Sequence, residues 1–220
     1  MKTIVVIPAF NEEETISDVV SSLQIYVDQV IVVDDGSTDK TSIRAEQAGA
    51  LILRRSVNVG YSNALNVGFK KAAEVGAGII VTFDADGQHN AEDIPRLVNP
   101  IVQGKADVVV AQRARQASVG ELLFSLYTRF RWGIKDPLCG LKAYHISVYT
   151  EIGHFDRLQS IGTELMIRVL DKGCRIIKVS IDVKDRKGTS RFYAHILRAN
   201  FKIVKALIRV IWEIEFVRNT

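Results

Sequence analysis

Residues 78–89, GIIVTFDADGQH, decide the fold and point to the chemistry. The apolar, β-branched run at its start has the composition of a strand covered on both faces of a parallel sheet. It ends in two carboxylates flanking one small residue, Asp84 and Asp86, with Gln88 two positions further on. Strand periodicity of two would project residues 84, 86 and 88 to the same side. Three oxygen donors would then converge on one point. That suits a hard divalent cation, Mg2+ or Mn2+, which takes carboxylate and carbonyl oxygens and keeps positions for water or phosphate. The plain alternative is a solvated loop after a strand.

Outward from this stretch, TIVVIPA (3–9), QVIVVDD (29–35), ALILR (50–54) and DVVVAQR (107–113) have the same β-branched character. Between the first two, Asn11 is the expected helix N-cap, with Glu14 three residues later and Ile16, Val19, Val20 and Leu23 at helical spacing. After Gly60, residues Tyr61, Ala64, Leu65, Gly68, Phe69 and Ala72 form one apolar stripe, the buried face of another helix. Strands alternating with helices predict an α/β, doubly wound, mostly parallel sheet with helices on both faces. In such sheets ligands bind beyond the carboxyl ends of the strands. The polar residues cluster there: Asn11 and Glu12, Asp34 and Asp35, Asp84 and Asp86, and Arg113.

Two other chemistries are disfavoured. A dinucleotide site wants G-x-G-x-x-G after the first strand, and PAFNEEE has no glycine. FDADGQ also resembles the nucleophile loop of haloacid-dehalogenase-type phosphatases, but it follows the fourth strand and lacks their threonine or serine after the glycine. Composition is that of an ordinary globular domain: 220 residues, 47% hydrophobic, 25% charged. The net charge of +4 is mild, and no nucleic-acid partner is expected. Cys139 and Cys174 have neither metal-ligand spacing nor a disulfide framework, which suggests a reducing, cytoplasmic setting. The N-terminal apolar run ends at Pro8, so no signal peptide is expected.

PAFNEEETI, VVDDGSTDKT, NVGYSNALNVGF, TFDADGQH and DPLCGLKAY, in this order, resemble the family 2 glycosyltransferases of GT-A fold. The likeness is greatest to the branch with dolichyl-phosphate mannose synthase and polyprenyl-phosphate sugar transferases, and it covers residues 1–192, taken as the catalytic domain. It implies that Pro8, Phe10, Glu12 and Ala85 line the nucleotide pocket and that Asp35 holds the base or ribose. It also implies that Asp84, Asp86 and Gln88 carry the cation bridging the diphosphate of a nucleotide sugar, GDP-mannose or a UDP-hexose. Asp86 is then part of the catalytic machinery. Asp34 has a weaker claim, as a solvated turn residue, with Ser37 and Asp39 as caps of the next helix.

The acceptor implied is a polyprenyl or dolichyl phosphate. KDRKGTSRFY (184–193) resembles the family's R-x-x-G-x-S-K, with Arg186, Gly188 and Ser190 in place and Arg191 where lysine is usual. These cations, joined by Arg113, suit a phosphate. The chain departs from its relatives at GELLFS, where Glu121 stands ahead of Ser125 in place of an arginine; Arg115, Arg129 or Arg131 could compensate. Glu164 falls where hydroxyl-directed members carry a base, so a soluble transferase with a hydroxyl acceptor stays open. A helix-terminal carboxylate is the plainer account of it. A non-catalytic sugar-nucleotide-binding protein is the alternative of another class. Single loop histidines are ordinarily surface residues, so His89 and His145 receive no role.

Residues 193–220 form the expected C-terminal amphipathic helix. Arg198, Lys202, Lys205 and Arg209 fall on one face, with Ile196, Phe201, Val204, Leu207, Ile208, Ile211 and Trp212 over the rest. Such a helix suits peripheral association at the cytoplasmic membrane face, or packing on the domain or a second copy.

Overall fold

The computed structural model describes residues 1–114, 118–184 and 196–217. Its strands are β1 (Thr3–Ala9), β2 (Gln29–Asp34), β3 (Leu51–Arg54), β4 (Ile79–Thr82), β5 (Val108–Arg113), β6 (Lys142–His145) and β7 (Ile176–Ile181). They form one sheet in the order β3-β2-β1-β4-β6-β5-β7, parallel except for β6, which is antiparallel to both neighbours. The helices are α1 (Ile16–Leu23), α2 (Thr41–Gln47), α3 (Tyr61–Glu74), α4 (Ile94–Val102), α5 (Val119–Trp132), α6 (Ile146–Ile152), α7 (Glu164–Asp171) and α8 (Ile196–Ile211). The chain winds one way through β1, β2 and β3 and then crosses back to β4. The switch point therefore lies between the carboxyl ends of β1 and β4, where a crevice for ligands is expected.

Alternation along each strand sorts the core into two layers. Val5 and Ile7 of β1 and Val81 of β4 pack under α1 and α4, against Ile16, Val20, Ile94 and Leu97. Ile4 and Val6 and Ile80 face the other way, onto Leu65 and Phe69 of α3, Phe124 of α5, Leu165 of α7 and Ile203 and Val210 of α8. Gly68 lets α3 lie directly on the sheet, since a Cβ there would sit 2.2 Å from a Val6 methyl.

β6 and β7 were not among the strands expected from the sequence. β6 is only four residues long, and β7 is a half-buried edge strand. Asn11 is not the N-cap of α1: that helix begins at Ile16, after Thr15. Asn11 instead takes a left-handed backbone (φ 53°), and its Oδ1 accepts from the Thr38 amide. Its polar side chain holds the β1 and β2 loops together.

Candidate active site

β4 stops at Thr82, whose hydroxyl donates to the Gly140 carbonyl at 2.6 Å. Strand alternation therefore does not project residues 84, 86 and 88, as expected from the sequence; they lie on a loop that turns at 85–87. The Asp86 carboxylate accepts the Gln88 amide at 3.1 Å, an Asx-type closure of that turn. The Gln88 side-chain nitrogen donates to the Lys184 carbonyl at 3.3 Å, and the Lys184 amide donates back to the Gln88 carbonyl at 2.9 Å. The turn is anchored from beneath by Thr15, whose hydroxyl donates to the Ala85 carbonyl at 2.7 Å. Ala85 itself is buried in the core, so it would reach a donor only through its backbone.

Asp84 is held by three neighbours. Its Oδ1 accepts from the Tyr61 hydroxyl at 3.2 Å, and its Oδ2 lies 3.1 Å from Nε2 of His89. The third neighbour is Gly140, where a Cβ would stand 2.0 Å from Oδ2. Only glycine fits that position of the DPLCGLKAY motif while Asp84 stays where it is. Burial alone would raise the Asp84 pKa. The hydrogen bonds and charges around it, His89 first, outweigh burial and hold the carboxyl below its usual range. Tyr61 is pushed well above its usual value by burial and then by Asp84, so it remains a protonated donor.

His89 is buried rather than at the surface, stacked edge-on to Phe83, and its Nδ1 has no partner among the described residues. Tyr61, His89 and Gly140 are site residues that the sequence did not single out. Each lies within a quoted motif, and its position there was the only signal.

The other expected site residues separate into two groups. Pro8, Phe10 and Glu12 line the end of β1 and are half-buried, and the Glu12 amide donates to Thr41 Oγ1 at 2.8 Å. Asp35 accepts the Val59 and Gly60 amides and lies 3.6 Å from Arg55 Nε, so it fixes the loop that starts α3. Asp34 is fully buried, not solvated: it accepts from the Ser37 amide and the Ser42 hydroxyl. Ser37 Oγ accepts the Asn11 amide, and Asp39 accepts the Thr41 amide at the start of α2.

Two expected roles meet side chains already committed elsewhere. Arg113, expected to grip a phosphate, places its fork on Asp136, with Nε to Oδ2 at 2.7 Å and Nη2 to Oδ1 at 2.9 Å, and its Nη2 also reaches Glu121 at 3.4 Å. Burial alone would lower the Arg113 pKa, but these carboxylates raise it, and they already neutralise its charge. Glu121, which stands where relatives carry an arginine, is buried as part of that pair. Arg131 pairs with Glu215 at 3.2 Å and so does not turn to the site. Arg115, Arg186, Ser190 and Arg191 lie outside the described residues.

Glu164, the expected base, has a side chain 0% exposed. Its Oε1 is bonded to His154 at 2.8 Å and Arg168 at 2.6 Å; its Oε2 accepts the amides of Arg157 and Leu158. Burial would raise its pKa, yet these donors, His154 first, hold it below the usual value. A carboxylate so placed is a weak base, and it clamps the loop before α7.

The chain matches the family described as Glycosyl transferase family 2 over residues 4–155. It belongs to that family. This glycosyltransferase is 35% identical, over 63% of its length and 67% of the relative's, to the UDP-N-acetylglucosamine–dolichyl-phosphate N-acetylglucosaminyltransferase of Methanococcus voltae. It is 29% identical to the polyprenol monophosphomannose synthase of Mycolicibacterium smegmatis, over 94% of this chain and 88% of that one. Its fold is GT-A. The glucosyl-3-phosphoglycerate synthase of Mycobacterium tuberculosis, solved with Mn2+, UDP and glucosyl-3-phosphoglycerate, superposes with a TM-score of 0.75 at 25% identity. That superposition covers 97% of this chain and 79% of the other.

Proposed function

We propose that this glycosyltransferase moves a hexose from GDP-mannose or a UDP-hexose to a polyprenyl or dolichyl phosphate, with inversion at the anomeric carbon. The observation that carries this is the pairing of the Asp84–Gln88 turn with Lys184. The carboxylate turn is thereby tied to the strand end that leads into the segment carrying Arg186, Ser190 and Arg191. In sequence, the basic residues expected to grip the acceptor phosphate begin two positions after Lys184. The named relatives support a lipid phosphate as acceptor, and the UDP complex supports a nucleotide donor.

Asp84, Asp86 and the side-chain oxygen of Gln88 would hold Mg2+ or Mn2+. Among the described residues no cluster of three or more carboxylates, histidines or cysteines forms a closed cage. Two carboxylates on one turn fit a cation that completes its shell with substrate phosphates. When bound there, the cation would supply stabilisation of the negative charge that grows on the departing diphosphate. The chain's own part is to fix the carboxylates: Tyr61, His89 and Gly140 set Asp84, and the Gln88 amide sets Asp86. An acceptor phosphate, with a second pKa of about 6, is already largely dianionic at neutral pH and attacks without a general base. The enclosed Glu164 favours this over a hydroxyl acceptor.

Membrane contact is part of the proposal. No helix among the described residues is long and apolar enough to cross a membrane. On α8, Leu197, Phe201 and Ile208 are exposed beside Arg198, Lys202 and Lys205, with Trp212 exposed just after it, while Ala199, Ile203, Ala206 and Val210 are buried. Leu122, Leu126 and Phe130 of α5 are exposed too. Arg209 differs from the expected row of four cations: it turns inward and donates to the Leu158 carbonyl at 3.0 Å. The face suits the cytoplasmic surface of an anionic membrane, peripherally bound. A second copy covering it is the competing outcome.

The test is transfer from labelled GDP-mannose, UDP-glucose and UDP-N-acetylglucosamine to polyprenyl phosphate in anionic vesicles, with EDTA or Mn2+, alongside vesicle sedimentation. A metal-dependent lipid-phosphate sugar product is expected. Transfer only to soluble hydroxyl acceptors, or transfer unaffected by EDTA, would overturn the reading.

A further inference from the structure

Lys142 is a buried amine with no ion-pair partner among the described residues. It is the first residue of β6, which runs antiparallel to β4, and it stands opposite Thr82. The start of β6 is therefore at the same rim as the end of β4, two residues before Asp84. Lys142 shares its sheet face with Tyr144, on the α3 side, where Tyr61 reaches Asp84. It is 3% exposed. Its ammonium donates to the Gly162 carbonyl at 3.3 Å and makes no ion pair among the described residues. Burial lowers its pKa, while the nearby Asp136 and Asp84 act the other way without bonding to it.

An ammonium has three donors, and one long bond to a neutral carbonyl leaves two without acceptors. Burying a charge without a partner is costly, and such charges in folded proteins are ordinarily paired. The carbonyl comes from a strained loop. Gln159 and Ile161 have left-handed backbones (φ 56° and 58°), which for a β-branched isoleucine is an outlier. Strain of this kind gathers at ligand sites, where surrounding structure holds it in place. A positioned amine at the rim beside the carboxylate turn, covered by such a loop, has the chemistry to meet an anion entering from the crevice, whose charge would hold it protonated.

We propose that Lys142 binds a substrate phosphate, its ammonium exchanging the Gly162 carbonyl for a phosphate oxygen of the donor diphosphate or of the acceptor. This rests on the transferase reading above. The experiment compares wild type with Lys142→Met and Lys142→Arg in three measurements: thermal midpoint, affinity for UDP and GDP with Mn2+, and KM for polyprenyl phosphate. Lys142→Met should keep or raise the thermal midpoint, because a buried amine with a single long hydrogen bond is replaced by an apolar side chain. It should lose about tenfold or more in affinity for one phosphate partner, the scale of a charged hydrogen bond. Lys142→Arg should recover part of that loss. Weakened nucleotide binding identifies the donor diphosphate, and a raised acceptor KM identifies the acceptor phosphate. A lowered midpoint with both affinities unchanged makes Lys142 a tether of the 159–162 loop and overturns the proposal. Wild-type binding of neither nucleotide overturns the UDP- or GDP-sugar donor reading and this proposal with it; normal wild-type binding with normal variant binding overturns this proposal alone.

Discussion

Two carboxylate centres at the same end of the sheet behave in opposite ways. Asp84, with a side chain 29% exposed, is held on one side by Tyr61, His89 and the bare backbone of Gly140. Glu164 is wholly enclosed, with two side-chain and two amide partners. The first is positioned and still has a face toward the crevice. The second is saturated, and its work is to close a loop and, through Arg168 and Glu213, to tie that loop to the segment after α8. A carboxylate at a strand or helix end becomes a ligand site only when its neighbours orient it without consuming it.

The sharpest way to break this contrast is Asp86→Asn. Turnover should fall by at least about 10²-fold, the scale on which loss of one preorganised charge-stabilising group acts. The thermal midpoint should barely move, since the substitution lies on a half-exposed turn. Residual turnover near wild type in a metal-titrated transfer assay would show that the turn does not carry the chemistry.

Gly140→Ala tests orientation instead of charge. The new methyl would force Asp84 aside, and an ångström of misplacement costs up to about 10²-fold in rate. Steady-state kinetics should show the loss in kcat more than in acceptor KM. Unchanged kcat would mean that Asp84 tolerates a different position.

Glu164→Gln should show the reverse pattern. Losing a buried charge partner of His154 and Arg168 should cost about 2 to 3 kcal/mol in denaturant unfolding, the low end for a broken buried pair because Arg168 keeps Glu213. Turnover per folded molecule should stay within about twofold if the acceptor is already dianionic. A collapse of kcat with unchanged stability would restore Glu164 as a base.

The smallest effect is in pH. The Glu164 pKa is lower in the folded state than its ordinary value of 4.5, so its stabilisation is complete above that value. It is lost as pH falls through the folded pKa. The stability gap between wild type and Glu164→Gln should be flat above about pH 5 and narrow below 4.5. A gap independent of pH down to acid unfolding would show that the carboxylate is not held ionised.

Much of the fold was legible because it rests on local pattern. The five β-branched runs became the five strands expected, the fourth stopping at Thr82 short of the expected Asp86, and the α3 stripe from Ala64 to Ala72 is its buried face. β6 was not legible: Lys142–His145 is too short to show a period, and it pairs only because β4 and β5 leave a gap for an antiparallel insert. The same limit applied to the site. DxD was visible as two carboxylates, but its loop geometry was mistaken for a strand end. Asp34 in VVDDGSTD was expected as a solvated turn residue beside the ligand-binding Asp35, yet it is closed by Ser37 and Ser42, and Asp35 by a loop 24 residues away.

The sequence by itself determined the sheet class, the family and the residue types at the carboxyl rim, because hydrophobic period and motif order are local properties of the chain. Only the tertiary structure decided which of those residues are spent and which stay poised. Arg113 is consumed by Asp136 across 23 positions and Arg209 by the Leu158 carbonyl across 51, while Asp84 is set by Tyr61 from α3 and by Gly140 from the loop before β6. Whether a charge is free to meet a ligand depends on partners that folding brings from distant parts of the chain, and no spacing along the sequence encodes that.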